Sequence, residues 1–406
     1  MLARIAFRNV FRQRRRSLFT SLMMVGGFTL SSLSIGISDG SYAHLIDMFT
    51  RDQTGHLQIH RQGYRQQPSL HATLTADERL VRAIEHQSGF AAWAPRVYAP
   101  GLAFLGRKTA GARLVGVDPV REPATTRLKQ KISEGRFFAA DEGNSIILTC
   151  TLAEVLDADI GDEIALIGQG ADGSIANDLF SIVGIVGASG RTRVGRTYYL
   201  PLDAARRFLS LPRAHVHEIA VVLEDHRDAD AAADEIAQRI GAADNLEVAP
   251  WRMVEWEFYR AMKVDQEGMW VSLLIIVIIV AIGVLNTVLM SVLERTREFG
   301  VLRAMGTPPR ALFSMIVLET TFLTLLSLIP AVSLSVILNF WLSQQGISIP
   351  NPINYGGVLF SHIYSEVNAR VLWLPGLVVL LASVGVSLFP AWRTARIAPA
   401  DAMRAH

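Results

Sequence analysis

Four stretches of the chain are each long and apolar enough to cross a bilayer as a helix, and nothing else in the sequence restricts its fold as strongly. Such a crossing takes about 20 mostly apolar residues. The runs fall at residues 17–37 ("SLFTSLMMVGGFTLSSLSIGI"), 269–293 ("MWVSLLIIVIIVAIGVLNTVLMSVL"), 311–342 and 371–392. Of the 406 residues, 50% are hydrophobic and 19% charged, against about 25% charged in ordinary soluble domains. Residues 38–268 have ordinary globular composition and are numerous enough to bury a core of their own. The expected architecture is membrane α-helical, with four transmembrane helices, plus a large α+β extracytoplasmic domain between helices 1 and 2.

Arginines mark alternate ends of these runs. Arg4, Arg8, Arg12, Arg14, Arg15 and Arg16 precede the first; Arg295, Arg297, Arg303 and Arg310 separate the second from the third; Arg393, Arg396 and Arg404 follow the fourth. The positive-inside rule then places both termini and residues 294–310 in the cytoplasm. It leaves the domain at 38–268 and the loop at 343–370 outside. Within residues 1–16, "LARIAFRNVFR" (2–12) sets Arg4, Arg8 and Arg12 on one helical face, the pattern of an interfacial helix on the inner leaflet. Arg15-Arg16 before an apolar run resembles a signal peptide, but no small-x-small cleavage site follows Ile37. Residues 393–406 are the cytoplasmic tail. A net charge of +2 supplies no field for nucleic acid. The one cysteine, Cys150, excludes an internal disulfide and reads as a small buried core residue.

The outer domain alternates short strands and helices, which suggests two lobes built by strands that leave and return. "GHLQIH" (55–60), "RLVGVD", "SIILTC", "DEIALIG", "LFSIVGIVG" and "EIAVVLE" are strands by length and β-branched content. "TLTADERLVRAIEHQSG" (73–89) is a helix with a capping box at Thr75 and Glu78; "TLAEVLDA", "LDAARRFLS" and "HRDADAAADEIAQRIGA" are helices too. No catalytic constellation emerges. His215–Glu218 ("HVHE") and the pair His56/His60 lack the Cys or carboxylate support of a metal site, so they read as ordinary surface histidines. "GLAFLGRKT" (101–109) imitates a phosphate loop, but Arg107 stands where a lysine must follow the second glycine. The chain therefore has no nucleotide-binding motif of its own and is expected to be non-catalytic.

In the membrane runs, Gly26, Gly27, Ser31, Ser32 and Gly36 are small enough for close helix contact. Asn286 and Asn339 are polar residues expected to face a buried partner, and Pro330, Pro375 and Pro390 are expected to bend their helices. Glu319 would lie about 12 Å deep if its helix began at Ala311. Structural and transport roles for it both stay open. No polar stripe of a midplane permeation site runs along the helices.

"NTVLMSVLERTREFGVLRAMG" (286–306) is similar to the signature of the FtsX/MacB/Lol permease superfamily of ABC transporters. "FPAWRTARIAPADAMRA" (389–405) resembles its second signature, with Met403 where leucine is usual. "EGRFFAADEGNSIILTCTLAEVLDADIGDEIALIG", "LFSIVGIVGASG" and "YYLPLDAARRFL" resemble the family's periplasmic core domain. The layout of one helix, a large outer domain and three helices matches as well, so the resemblance covers essentially the whole chain.

What the resemblance implies is a permease subunit of a bacterial inner membrane that pairs with a second permease, identical or paralogous, and with two copies of a cytoplasmic ABC ATPase. ATP and magnesium would be bound by that ATPase, and no cofactor by this chain. Residues 294–310 would hold the coupling helix that docks on the ATPase. Glu294, Arg295, Arg297, Glu298 and Arg303 would make charged contacts, Phe299 and Leu302 would anchor in an apolar groove, and Gly300 and Gly306 would allow close approach and a helix end. Movement would pass along the second helix, continuous with "WRMVEWEFYRAMKVDQEG" (251–268), whose Trp251, Trp256 and Phe258, with Trp270, would anchor at the outer interface. Lipoprotein or lipid extraction of the Lol kind is the favoured activity. The alternatives are MacB-like export with a periplasmic adaptor and FtsX-like activation of a cell-wall hydrolase; a periplasmic carrier or adaptor completes the expected partners.

Overall fold

The computed structural model describes residues 6–9, 12, 14–140, 142–187, 195–241, 245–355 and 358–396. Most of the expected interfacial helix at 2–12 and the last residues of the tail signature lie outside these. The described residues 6–9 and 12 are helical, and the Phe7 ring meets Phe322 edge-on at 5.9 Å.

Helix α1 (Arg14–Phe49) outruns its apolar segment and ends in a π turn at Thr50–Thr54. The helix thus continues past the apolar run that ends at residue 37: no proline interrupts residues 38–49, and Leu45, Ile46 and Phe49 are buried, which favours continued helix. There follow β1 (Leu57–Arg61), β2 (Leu74–Thr75), α2 (Glu78–Glu85), β3 (Phe90–Leu105), β4 (Lys108–Val117), α3 (Glu122–Thr125), β5 (Ile132–Gly135) and β6 (Ser145–Thr149). Next come α4 (Cys150–Leu156), β7 (Glu163–Gln169), β8 (Ile175–Val186), β9 (Thr197–Pro201), α5 (Leu202–Phe208), β10 (His215–Val216), β11 (Glu218–Leu223), α6 (Ala229–Ile240) and β12 (Leu246–Pro250). A short turn of helix, α7 (Trp251–Val254), precedes α8 (Trp256–Glu294), α9 (Thr296–Ala304) and α10 (Pro309–Gln345). The hairpin strands β13 (Ile347–Tyr355) and β14 (Val358–Ile363) and helix α11 (Ala369–Ala395) complete the order. A hairpin thus occupies the stretch read as a loop at 343–370.

The chain divides into an outer unit (His44–Arg260 with Pro350–Ser361) and a helical unit (Met1–Ala43, Ala261–Ile349 and His362–His406). In the outer unit the expected two lobes are replaced by one ten-stranded sheet, ordered β12-β1-β11-β3-β4-β9-β6-β8-β5, with β7 joining β3 and β8. The reason is the length of β3. One of its edges pairs with β11 over Phe90–Arg96 and then with β7 over Gly101–Phe104, while the other pairs with β4 from Arg96 onward. Helix α2 is capped by Asp77, whose carboxylate accepts from Leu80 N–H at 2.8 Å. The expected capping box at Thr75 is corrected, because Thr75 pairs with His215 in the sheet. Cys150 is buried at the start of α4, as its type suggests. Trp251 is also buried, its indole N–H donating to His226 O at 3.4 Å; it is a core residue and not the interfacial anchor expected.

Four helices of the described chain have the length and composition of membrane spans. Their buried positions form stripes of small residues. On α11, Pro375, Val379, Ser383, Ser387 and Ala391 are buried at four-residue spacing, and on α10 the buried set includes Thr320, Thr324, Ser327, Ala331, Ser335 and Asn339. Lipid offers no hydrophobic drive for association, so close backbone approach and interhelical hydrogen bonds hold such helices together. Gly27 and Gly36 need their lack of a side chain, since a Cβ would stand 2.1 Å from Val280 Cγ2 and 2.2 Å from Asn339 Oδ1 respectively; Gly26 meets nothing within 4 Å. Pro330 and Pro390 lie inside α10 and α11, which continue through them.

Candidate functional site: the charged helix between two membrane spans

Helix α9 owes its separateness to its ends. Arg295 breaks from α8 with φ −103° and ψ 9°, and Gly306 closes α9 in the left-handed region at φ +94°. Gly306 N–H donates to Arg303 O and Thr307 N–H to Leu302 O, each at 3.0 Å. That paired pattern is the Schellman motif, for which glycine at this position is preferred.

The inner face of α9 is fixed to the protein's own helices. Phe299 is 3% exposed and packs with Val292, Leu312, Met315, Ile316 and Ala391, while Leu302 leans on the same cluster half-buried. Gly300 is buried beside it. The expectation that Phe299 and Leu302 anchor an external partner is therefore corrected. Their apolar surface is already spent inside the bundle, where it satisfies the one apolar stripe that a nine-residue helix carries.

Charge ties down the same end. Arg295 donates to both carboxylate oxygens of Glu319, at 3.0 and 3.3 Å, and to Glu298 at 3.1 Å, and its guanidinium lies over the Phe299 ring at 5.2 Å. Arg16 of α1 pairs with Glu294 at 3.2 Å and donates to Thr287 O. Asn9 reaches Glu319 at 3.5 Å. A cavity of about 50 Å³ lies among Arg16, Ser291, Arg295, Phe299 and Glu319. Glu319 is thus the acceptor at the hub of an ion-pair network that joins α10 to the start of α9.

What remains facing outward is a different set. Arg297, Glu298, Val301, Ala304 and Met305 are exposed, with Val301 45% and Met305 70% accessible. Arg297, Val301 and Ala304 fall at i, i+4 and i+7, and Glu298, Val301 and Met305 at i, i+3 and i+7, the spacing by which a helix enters a groove. Glu298 also pairs with Arg12 at 3.9 Å, and the half-buried Arg303 has an Nε without a partner among the described residues. The exposure of Val301 and Met305 is not marked in the signature, which singles out no position by accessibility; the i, i+4 spacing from Arg297 could have found them.

The two intramembrane asparagines part company. Asn339 is fully buried: Nδ2 donates to Ser32 Oγ at 3.2 Å and Ser335 O at 2.9 Å, and Oδ1 accepts from Ser365 at 2.6 Å. Asn286 is exposed, and the buried partner expected for it is not found among the described residues. The histidines read as surface residues are corrected as well. His56, His60 and His217 are buried, and no three metal-ligating side chains gather anywhere among the described residues.

Residues 17–239 match the family described as MacB-like periplasmic core domain, and residues 270–399 match the FtsX-like permease C-terminal family. The chain belongs to the FtsX-like permeases with a MacB-like core domain. This FtsX-like permease is 23% identical to the lipoprotein-releasing system transmembrane protein LolC of Neisseria meningitidis serogroup B, over 80% of each chain. It is 21% identical to LolE of Haemophilus influenzae, over 84% of this chain and 82% of that one. Against the macrolide export ATP-binding/permease protein MacB of Azoarcus sp. strain BH72 identity is 24%, over 77% of this chain and 48% of that longer one. Among solved structures, the periplasmic region of MacB from Actinobacillus actinomycetemcomitans aligns with 50% of this chain and 92% of its own, at TM-score 0.36 and 14% identity. The permease is accordingly an ABC transporter component of the Lol-like or MacB-like kind, a membrane protein with an extracytoplasmic domain.

Proposed function

We propose that this permease works in the bacterial inner membrane by mechanotransmission, with both termini and α9 on the cytoplasmic side. Two copies of a cytoplasmic ABC ATPase bind and hydrolyse ATP with magnesium, and a second permease, identical or paralogous, completes the membrane part. ATP binding draws the two coupling helices together, and α8, uninterrupted from Trp256 to Glu294, passes that movement toward the outer domain. The observation that carries this reading is the division of labour on α9. Its inner face is locked by Phe299 and the Arg295–Glu319 pair, so a push on Val301 or Met305 is delivered to the bundle instead of being absorbed by a loose loop.

For cargo, extraction of a lipoprotein or lipid from the outer leaflet of that membrane, for transfer to a periplasmic carrier, fits best. The LolC and LolE relatives match over four-fifths of their length, and the MacB relative over about half. MacB-like export through a periplasmic adaptor is the second reading, favoured by the core-domain match at 17–239. The test is coexpression with the candidate ATPase, recording complex recovery and ATP turnover in nanodiscs for wild type and Val301→Asp/Met305→Asp. Loss of both with an intact permease supports the coupling role, and unchanged turnover removes it. Release of a lipoprotein into a periplasmic carrier then separates the Lol-like from the MacB-like reading.

A further inference from the structure

A cavity of about 890 Å³ opens within the outer unit, independent of the coupling site. It falls in the usual range of ligand pockets, roughly 300–1,000 Å³. Its floor is unusual for a β-sheet. His60 of β1 and Glu218 of β11 are 2% and 4% exposed, and they are tied to the equally buried Arg96 and Glu122 behind them. Arg96 pairs with Glu122 at 2.7 Å and with Glu218 at 3.2 Å; the Tyr98 hydroxyl donates to Glu218 at 3.1 Å; His60 Nε2 lies 3.3 Å from the other oxygen of Glu218. Burying charge costs far more than an apolar floor would, and the group survives because every carboxylate oxygen of Glu218 is partnered. That network rigidly orients the groups at the floor.

Two features of the wall have no hydrogen-bond or carboxylate partner among the described residues. With Nε2 directed at Glu218, His60 is left with Nδ1, a buried nitrogen that has no hydrogen-bond partner among the described residues, in a residue that lines the cavity. The ring stacks on Tyr64 at 5.4 Å, and its Nε2 contact with Glu218 sets which nitrogen is left over. Across the wall, Arg113 of β4 and Arg196, the residue just before β9, are joined where Arg113 N–H donates to Arg196 O at 3.0 Å. No carboxylate pairs with either guanidinium among the described residues, and Arg113 is held over the Tyr98 ring at 5.5 Å. The third lining arginine, Arg65, is already taken by Glu247 at 3.3 Å.

We propose that this cavity binds a phosphate ester of a hydroxylated alcohol, with Arg113 and Arg196 holding the phosphate, His60 Nδ1 accepting from a hydroxyl, and Tyr64 and Tyr98 forming the walls. Guanidinium groups match phosphate oxygens in geometry as well as charge. Glycerol phosphate is the simplest compound with both halves, and it has two sources, a soluble metabolite or the headgroup of a phospholipid.

The experiment is calorimetric titration of the full chain in maltoside detergent with sn-glycerol 3-phosphate, methyl phosphate, and dihexanoyl phosphatidylglycerol below its micellar concentration. Saturable binding of glycerol 3-phosphate is expected, at least tenfold weaker in Arg113→Gln/Arg196→Gln, whose two positions are exposed and whose melting temperature should equal wild type. Methyl phosphate, which lacks the hydroxyls, should bind several-fold more weakly. Tighter binding of the short-chain lipid than of glycerol 3-phosphate assigns the site to a headgroup, and the reverse order assigns it to the soluble ester. No saturable binding of any probe at millimolar concentration overturns the proposal, as does binding that the double variant leaves intact. Equal affinity for methyl phosphate and glycerol 3-phosphate would overturn the assignment of His60.

Discussion

Replacing Glu319 by glutamine removes one charge from the hub that holds α9 while keeping the side chain's shape. The carboxylate takes two hydrogen bonds from Arg295, at 3.0 and 3.3 Å, and the two side chains are 20% and 12% exposed. Breaking a fully buried pair by removing one partner costs about 3–5 kcal/mol. Partial exposure lowers that figure, and glutamine still offers one oxygen to the guanidinium, so about 2 kcal/mol is a reasonable magnitude. A loss of that size raises the local opening equilibrium roughly 30-fold. Hydrogen exchange on the purified permease should show the increase in amides of Thr296–Ala304, with little change in the outer unit. The double variant Arg295→Gln/Glu319→Gln should be less destabilised than the two single variants summed, because each single change strands the other charge. Unchanged protection of α9 in Glu319→Gln, together with strict additivity in the double variant, would refute the anchoring role.

Two further outcomes follow from the same reasoning. Asn339→Leu leaves Ser32, Ser335 and Ser365 without their shared partner, and should lower the stability of the helical unit by about 1–2 kcal/mol, read as a drop in the detergent melting temperature. In the outer unit, burial and the neighbouring His226 lower the pKa of His56 from 6.5 to about 4, and its Nδ1 accepts from Leu223 N–H at 3.0 Å, which requires the neutral ring. Because the folded value lies below the unfolded one, stability is complete above about pH 6.5 and is lost as pH falls toward 4, by up to about 3 kcal/mol. Urea melts of the permease followed by tryptophan fluorescence between pH 7.5 and 4.5 should show that slope, and His56→Gln should flatten it.

Much of the helical unit was legible in the sequence because its signals are long. Four apolar runs, a charged break between two of them and Gly306 at the end of α9 need only composition and spacing to read. What failed was direction. Phe299 in an amphipathic nine-residue helix looks equally suited to a partner's groove and to the protein's own bundle, and only the packing of Leu312 and Ile316 against it decides. Asn286 and Asn339 are the same residue type in similar apolar settings, yet the second meets three serines and the first is exposed.

In the outer unit, β3 was invisible because "FAAWAPRVYAPGLAFL" carries Pro95, Pro100 and Gly101, which punctuate loops. The strand tolerates both prolines because each sits where one edge is unpaired. Pro95 precedes the first pairing with β4, and Pro100 falls between the end of the β11 pairing and the start of the β7 pairing. In that second gap the free N–H of Tyr98 is taken by His217 Nδ1 at 3.0 Å. Such matching of proline to gaps in a ladder is a property of the assembled sheet, as is the convergence of His60, Arg96 and Glu218 from three separate strands.

The most direct test of the coupling helix is site-specific photocrosslinking from α9 in cells coexpressing the ATPase. A benzophenone side chain placed at position 301 or 305 should form adducts with the ATPase, and one at position 299 should crosslink only within the permease. Adducts from position 299 with none from 301 or 305 would mean that α9 presents the opposite face to the ATPase, contradicting the outward placement of Val301 and Met305.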